Sequence, residues 1–315
     1  MSRISPLFLL VAGCDFFPEF VDSGVADVDP NACDPQVLVP AVLIAGDDSI
    51  PADAHADTYG SAPAPVHIRY QWPDKDPSNS AAFLWATDVD TLASIVEIGP
   101  ADTFPDGADR VEGYSFLFGT GEVGAGDHRT HEVRLCGTLE PNTTYSYRVG
   151  GEDSWSKTFT FTTPGKPGTF DTFRVAIAGD SRGAYATWET IINKMDAFEP
   201  DFIMFSGDMV ELGPNQHEWD AWFDASGEIL ARTPVLAAHG NHEFLAQNYF
   251  AQFAFPNNEQ WYSVRYGDLL LLSLNDTVQA ENDRDSSWSR KVTWETSRSF
   301  SAWTVSFRLS SSRSP

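Results

Sequence analysis

The hydrophobic pattern of the chain changes near residue 165, from short strand-like runs to longer apolar runs that alternate with helical faces. Before that point the runs are rich in β-branched and aromatic residues and are separated by Gly, Pro, Asp and Asn. They read APVHIRYQW, AAFLWAT, ASIVEIG, HEVRLCG, TYSYRVG and KTFTFTTP. Short runs of this kind without helical periodicity predict an all-β sandwich over residues 37–163.

A Pro- and Gly-rich linker at residues 164–170 leads into a different pattern. FRVAIAGD, DFIMFSGD and PVLAAHGN are continuous apolar runs, which indicate buried strands. The apolar residues between the first two runs lie on one helical face, at Trp188, Ile191, Ile192 and Met195. Those between the second and third indicate another amphipathic helix, at Trp219, Trp222, Phe223 and Leu230. The alternation predicts a parallel α/β sheet over residues 171–280, with a hairpin turn at Gly267.

The net charge of the chain excludes some classes of function. The 315 residues, a length typical of about two domains, carry a formal net charge of −25. Residues 15–110 hold eighteen Asp and Glu against three Lys and Arg. Such a surface repels phosphate backbones, so we expect no nucleic-acid partner. An acidic chain can still hydrolyse phosphate esters when bound cations reverse the local field.

The first fourteen residues, MSRISPLFLLVAGC, have the layout of an export signal, with Arg3 before an apolar run that is too short to span a bilayer. LVAGC resembles a bacterial lipobox, which implies acylation of Cys14 and an exported lipoprotein that meets the membrane only through its lipid anchor. An ordinary secretory signal with a chance cysteine is the alternative. Residues 15–36 are acidic and lack periodicity, as expected of a tether.

Two further cysteines follow. With Cys14 acylated, Cys33 and Cys136 are an even pair in an oxidising compartment, and we hypothesise a disulfide between them. The alternative is two unpaired thiols.

Each of the three apolar runs after the linker ends in glycine followed by a side chain that can bind metal. The endings are Gly179-Asp180, Gly207-Asp208 and Gly240-Asn241-His242-Glu243. Ligands bind outside the carboxyl ends of strands in open α/β sheets. A single Gly-Asp is common in turns, but three at successive strand ends predict a site for metal and phosphate.

These motifs carry a family resemblance. GDSRG, GDMVELG and HGNHE, in this order, resemble the calcineurin-like metallophosphoesterase superfamily, which implies an αββα-type sandwich, C-terminally incomplete in this chain. A β-sandwich before them is the layout of purple acid phosphatases. LEPNTTYSYRVG likewise resembles the tyrosine corner of fibronectin type III-like sandwiches, with Tyr145 at the corner. The resemblance covers residues 37–276.

The resemblance implies two divalent or trivalent ions, drawn from Fe, Mn and Zn. Asp180 would bind the first ion, Asp208 would bridge both, and Asn241 would bind the second. A hydroxide generated between the ions would attack a phosphomonoester in line. His242 would stabilise the phosphoryl group or protonate the leaving alkoxide, with a capping or packing role as the alternative.

Neighbouring residues have weaker assignments. Arg182 could neutralise a substrate phosphate, and a surface salt bridge is the equal alternative. We expect Glu243 to orient its turn without binding metal itself, and His239 to have a structural rather than a catalytic role. His128 and His131 have a spacing that can bind metal, but we expect them to face solvent from the sandwich.

The chain departs from the family pattern in two places. Glu211 occupies the position of the tyrosinate that gives the family its colour, so we do not expect a ferric tyrosinate. A carboxylate there favours hard ions such as Mn or Mg, or Fe without the charge-transfer band. No histidine follows His242, although the family supplies more from later motifs. Residues 281–315 are a Ser- and Arg-rich tail, and we hypothesise that the reading frame is lost after Asp276 or that the gene is degenerate.

Three functions remain after these observations. The first is metal-dependent hydrolysis of a phosphomonoester, impaired by the missing ligands. The alternative from another class is an inactive surface lipoprotein in which the sandwich binds a partner. A phosphodiesterase or nuclease on the same site is the third, and the acidic surface counts against the nuclease.

Overall fold

The computed structural model describes residues 8–12, 52–53, 55–119, 127–152, 154–166, 172–256, 259–275 and 303–308. Its strands are β1 (Phe8–Ala12), β2 (Ala52–Asp53), β3 (Val66–Gln71), β4 (Ala81–Thr87), β5 (Ile95–Pro100), β6 (Asp109–Glu112), β7 (Tyr114–Gly119), β8 (Asp127–Leu135), β9 (Thr144–Gly151), β10 (Ser154–Trp155), β11 (Phe159–Thr162), β12 (Thr172–Ala178), β13 (Phe202–Phe205), β14 (Val235–Ala237), β15 (Tyr262–Tyr266), β16 (Leu269–Ser273) and β17 (Trp303–Arg308). The α-helices are α1 (Tyr185–Asp196), α2 (Gln216–Ser226) and α3 (Gln247–Phe250).

Strands β2 to β11 form a sandwich of two antiparallel sheets. One sheet has the order β2-β7-β8-β4-β3, and the other has β10-β9-β5-β6 with β11 also paired to β9. The Tyr145 hydroxyl accepts a hydrogen bond from the Glu140 main-chain nitrogen at 2.9 Å, which is the tyrosine corner that LEPNTTYSYRVG predicts. Sequence reasoning missed β6 and β7, because DRVE is polar and YSFLFG follows it after a single glycine.

The second half contains the predicted parallel sheet. Ala178 of β12 is aligned with Phe205 of β13, which is aligned with Ala237 of β14, so the three strands end level with one another. The antiparallel hairpin of β15 and β16 turns through Gly267, as predicted. The parallel strands and the hairpin therefore agree with the α/β architecture that the hydrophobic pattern predicts for this half.

Helices α1 and α2 cover the sheet with the faces that the periodicity predicts. Trp188, Ile192 and Met195 of α1 are buried, and so are Trp219 and Trp222 of α2. The second helix is shorter than predicted: it ends at Gly227, whose positive φ of 55° breaks the helix. Leu230 is therefore buried from a separate 3-10 helix, Ile229–Ala231.

The two halves pack directly on each other. The Tyr147 hydroxyl of β9 donates to the Ala231 carbonyl at 2.5 Å, and the Trp72 ring lies 5.4 Å from that of Phe202 in β13. One cluster of buried apolar side chains runs through both halves. Burial of shared apolar area of this kind holds the halves together.

The expectation that His128 and His131 face solvent is wrong. Both lie on β8, where His128 is partly buried and His131 is fully buried, stacked 5.0 Å from the Trp85 ring. The hydroxyls of Thr87 and Ser94 lie 2.7 and 2.9 Å from the two ring nitrogens of His131. A polar ring is tolerated in the core because both of its nitrogens have partners.

Several predictions fall on residues that the structure does not describe. Cys14, Cys33, the tether at 15–36 and most of the linker at 164–170 lie outside the described residues. Cys136 is disulfide-bonded, with its partner outside that set, so the pairing with Cys33 stays a prediction. No helix within the described ranges is long and apolar enough to cross a membrane.

Two described strands come from the terminal segments. Within the predicted signal peptide, β1 pairs antiparallel with β16, and within the Ser- and Arg-rich tail β17 pairs antiparallel with β12. Part of the tail is therefore ordered backbone that covers the edge of β12. The hydrogen-bonding edge of β12 is therefore paired, and β17 is the edge strand on this side of the sheet.

Candidate functional site

The three predicted strand ends meet at one edge of the sheet. The Asp180 main-chain nitrogen, after β12, donates to the Gly207 carbonyl at 3.1 Å, and the Arg182 nitrogen donates to the Asp208 carbonyl at 3.2 Å. The third end joins them through the His242 nitrogen, which donates to Asp208 Oδ1 at 3.1 Å. Backbone hydrogen bonds thus tie the three loops together around Asp208.

Both aspartates sit in the left-handed backbone region, with φ of 57° at Asp180 and at Asp208. Aspartate is among the few residue types that tolerate this conformation, and it turns the side chain sharply out of the strand direction. Gly240 is required for a different reason. A Cβ there would lie 2.3 Å from the Asp208 nitrogen and 2.5 Å from Glu243 Oε2, so any larger residue would push the third loop away.

Glu243 is the buried anchor of the site. Its Oε2 accepts from the main-chain nitrogens of Asp208 at 3.0 Å and Gly240 at 2.6 Å, and its Oε1 accepts from Met209 at 2.7 Å. Burial and the nearby charge of Asp208 raise the pKa of Glu243 to about 7. These contacts support the predicted role of Glu243 in orienting the turn. Its carboxylate binds the main chain of the loops rather than facing the space between Asp180 and Asp208.

The Arg182 guanidinium occupies the gap between the two aspartates. It lies 3.4 Å from Asp180 Oδ1 and 3.5 Å from Asp208 Oδ2. Burial and, second, the Asp208 carboxylate raise the pKa of Asp180 above its ordinary value. The two carboxylates therefore repel each other across a space that a positive group stabilises.

His242 completes the cluster with a defined tautomer. Its Nδ1 lies 2.6 Å from the Glu211 carbonyl oxygen, which can only accept, so Nδ1 carries a proton. Its Nε2 lies 2.5 Å from Arg182 Nη1, which can only donate, so Nε2 presents its lone pair. The ring thus directs Nε2 towards the gap between the aspartates, where Arg182 lies.

Asn241 stands apart from these contacts. It lies between Gly240 and His242, which both contact Asp208, but its own side chain is exposed. The structure thus brings Asp180, Arg182, Asp208 and His242 together, and it brings only the backbone of Asn241 to the same place.

Sequence reasoning missed the residue that holds the second loop. Glu218 Oε2, in the first turn of α2, accepts from the main-chain nitrogens of Glu211 at 2.6 Å and Leu212 at 3.3 Å, and from the Tyr185 hydroxyl at 2.7 Å. Glu218 therefore positions the Glu211 carbonyl against His242. An acidic residue three positions after Asn215 resembles the N-terminal capping pattern, which is the signal that could have found it.

The donor set can be compared with the metals that the resemblance implies. Carboxylates and amide oxygen suit hard cations such as Mg²⁺ and Mn²⁺. The position of Arg182 between Asp180 and Asp208 indicates that this gap accepts positive charge. Within the described ranges no three His, Cys, Asp or Glu side chains form a group that could hold a metal ion. The residues fit one oxygen-bound cation, and a second cation needs further ligands.

Comparisons with known proteins match both halves of the chain. Residues 65–163 match the purple acid phosphatase N-terminal domain, and residues 173–301 match the calcineurin-like phosphoesterase domain. The second match continues past Asp276, into the region where we hypothesise a lost reading frame.

Individual relatives agree with these families. Purple acid phosphatase 22 of Arabidopsis thaliana is 28% identical over 221 residues, covering 66% of this chain and 46% of the relative. Purple acid phosphatase 21 of the same plant is 32% identical over 181 residues, covering 56% of this chain and 36% of the relative. The chain thus spans less than half the length of these relatives.

A solved structure shows the same fold. The purple acid phosphatase from yellow lupin (Lupinus luteus) seeds has a TM-score of 0.54 and 22% identity, covering 65% of this chain and 43% of that one. A sandwich followed by a metallophosphoesterase-like fold is therefore the fold of this chain.

Proposed function

We propose that this chain, which joins a purple acid phosphatase N-terminal domain to a calcineurin-like phosphoesterase domain, is a metal-dependent hydrolase of phosphomonoesters. The observation that carries the proposal is the convergence of Asp180, Arg182, Asp208 and His242 at one edge of the sheet. Two carboxylates, one guanidinium and one imidazole nitrogen are groups that suit metal-assisted transfer of a phosphoryl group to water.

Asp180 and Asp208 would hold one cation, with the Asn241 amide as a further oxygen ligand, and a second cation would need ligands beyond these. Bound cations would supply Lewis acidity towards the phosphoryl oxygens and make a water molecule nucleophilic near neutral pH. Glu243 keeps Asp208 in place through the backbone, since it binds the Asp208 and Met209 nitrogens together. Its hydrogen bonds fix the ligand before substrate arrives.

Arg182 and His242 would act on the substrate itself. The guanidinium can move a short distance from the aspartates and pair with two phosphoryl oxygens, because its planar fork matches them. His242 Nε2 would take up a proton and deliver it to the departing alkoxide, while the Glu211 carbonyl holds the ring through Nδ1.

The test is hydrolysis of p-nitrophenyl phosphate by the full chain with added Mn²⁺ or Zn²⁺. Asp208→Ala should abolish metal-dependent turnover. Asp268→Ala is the matched control, since Asp268 is exposed in the turn between β15 and β16. A bis-ester substrate run beside the monoester separates the diesterase alternative from the proposal.

The binding-protein alternative is supported by the small ligand set, since within the described residues no three His, Cys, Asp or Glu side chains form a group that could hold a metal ion. Equal rates for the wild type and Asp208→Ala would leave only that alternative.

We further propose export and lipid anchoring at Cys14, supported by Arg3 and the apolar run that precedes the cysteine. Labelling of this chain with palmitate, and its loss in Cys14→Ser, tests the anchor.

A further inference from the structure

Two bulky residues with strained backbones follow directly after the third motif. Phe244 has φ of 54° and Leu245 has φ of 53°, a region that bulky side chains rarely adopt. Their side chains are nevertheless 56% and 40% exposed, so core packing does not explain the conformation. Strain of this kind persists where the surrounding structure enforces it, and it is concentrated at functional sites.

Hydrogen bonds on both sides hold this strained pair in place. The Leu245 nitrogen donates to Nε2 of the buried His239 at 3.2 Å, and the Ala246 nitrogen donates to the Glu243 carbonyl at 2.9 Å. Glu243 is itself fixed by the Asp208 backbone. The same network that positions the site therefore presents Phe244 and Leu245 to solvent.

Phe244 lies beside the imidazole ring of His242. The Phe244 ring is 6.0 Å from the His242 ring in an edge-to-face arrangement. Leu212, 44% exposed, is flanked by Glu211, whose carbonyl contacts His242 Nδ1, and by Gly213, whose nitrogen donates to the His242 carbonyl at 2.8 Å. Phe244 thus lies beside His242, Leu212 lies between two residues that hydrogen-bond to His242, and Leu245 follows Phe244 in the chain.

We propose that Leu212, Phe244 and Leu245 form an apolar wall that binds the alcohol part of the substrate. The proposal rests on the proposed function and specifies it: the chain prefers phosphomonoesters of aromatic or other apolar alcohols to those of small polar alcohols. The phosphoryl group meets Arg182 and the aspartates, while the leaving oxygen meets His242. The organic part must then extend past His242, where an aromatic ring would cover Phe244 and remove apolar area from water.

Binding of two non-hydrolysable analogues to the full chain tests the wall without requiring turnover. Benzylphosphonate and ethylphosphonate share the phosphonate group and differ in the ring. With Mn²⁺ present, calorimetry should give a Kd for benzylphosphonate about tenfold below that for ethylphosphonate. Phe244→Ala should reduce the ratio to about threefold or less, and Phe244→Leu should keep an intermediate ratio.

Phe198→Ala is the matched control. Phe198 is a 59% exposed phenylalanine after α1, at the opposite end of the sheet from Asp208, and its loss should leave the ratio unchanged. Equal affinities for the two analogues in the wild type, or an unchanged ratio in a folded Phe244→Ala, would overturn the wall. Selective binding without hydrolysis of benzyl phosphate would instead refute the proposed activity and leave the wall standing.

Discussion

Glu243 and Asp208 come from different strand ends, and the buried carboxylate of Glu243 accepts a hydrogen bond from the Asp208 main-chain nitrogen at 3.0 Å. The carboxylate also binds the nitrogens of Met209 and Gly240. One side chain therefore sets the distance between the second and third loops.

Replacing Glu243 tests the link. In Glu243→Gln one acceptor oxygen becomes an NH₂ group that faces a main-chain N–H, which leaves a buried donor without a partner. We expect a loss of about 1–3 kcal/mol in the free energy of unfolding, measured by urea titration. Glu189→Gln, on the exposed face of α1, should change it by less than about 0.5 kcal/mol.

Arg182 distinguishes phosphate binding from a surface salt bridge. Arg182→Lys keeps the charge but loses the planar pair of donors, so inorganic phosphate should inhibit turnover about tenfold more weakly than in the wild type. Arg232→Lys, which removes a guanidinium bound to Asp196 far from the site, is the control. Unchanged inhibition by phosphate in Arg182→Lys would leave only the salt-bridge role.

His242 should show its role through the leaving group. If Nε2 protonates the departing oxygen, His242→Gln should lower kcat about a hundredfold for ethyl phosphate, whose alkoxide needs the proton. The loss should be much smaller for p-nitrophenyl phosphate, whose phenolate leaves unprotonated. A residue that only packs or caps would lower both rates equally, so the ratio of the two kcat values decides between the roles.

The core histidine predicts a dependence of stability on pH. Burial, and then the charge of Arg129, lowers the pKa of His131 from 6.5 to about 3. Between these two pKa values His131 is protonated in the unfolded chain but not in the folded chain. The free energy of unfolding therefore decreases as pH falls from about 6.5 towards 3. At about 1.4 kcal/mol per pKa unit the loss can reach a few kcal/mol.

Urea titrations at several pH values measure this loss. His131→Gln should make the loss of stability in this window less steep, and His128 and His239, whose pKa values burial also lowers, should retain the rest of it. His217→Gln, on the exposed face of α2, should leave the pH dependence as in the wild type. An identical slope in His131→Gln would show that other groups cause the acid sensitivity.

The strained wall predicts a difference between two small substitutions. Phe244→Gly and Phe244→Ala remove the same ring, but only glycine adopts a φ of 54° without strain. We expect the glycine variant to be more stable than the alanine variant by about 1 kcal/mol, read from the urea midpoint. At an ordinary helical position the order would be reversed, and that result would contradict the strain.

The hydrophobic pattern was sufficient for features that depend on neighbouring residues. The continuous apolar runs identified β12, β13 and β14, and the Gly-Asp endings identified Asp180 and Asp208 at their carboxyl ends. Local patterns succeed here because a buried strand must be apolar throughout and its exit needs a residue that tolerates a sharp turn. The tyrosine corner at Tyr145 was predicted from the resemblance of the local motif LEPNTTYSYRVG.

Tertiary structure decided the features that depend on distant segments. The burial of His131 follows from Thr87, Ser94 and Trp85 on other strands, so a spacing of three residues in sequence could not indicate it. The position of Arg182 between two carboxylates and the exposure of Phe244 beside His242 arise only when three loops meet. Local patterns therefore limit which residues can take part, whereas long-range hydrogen bonds and packing set which of them face one another.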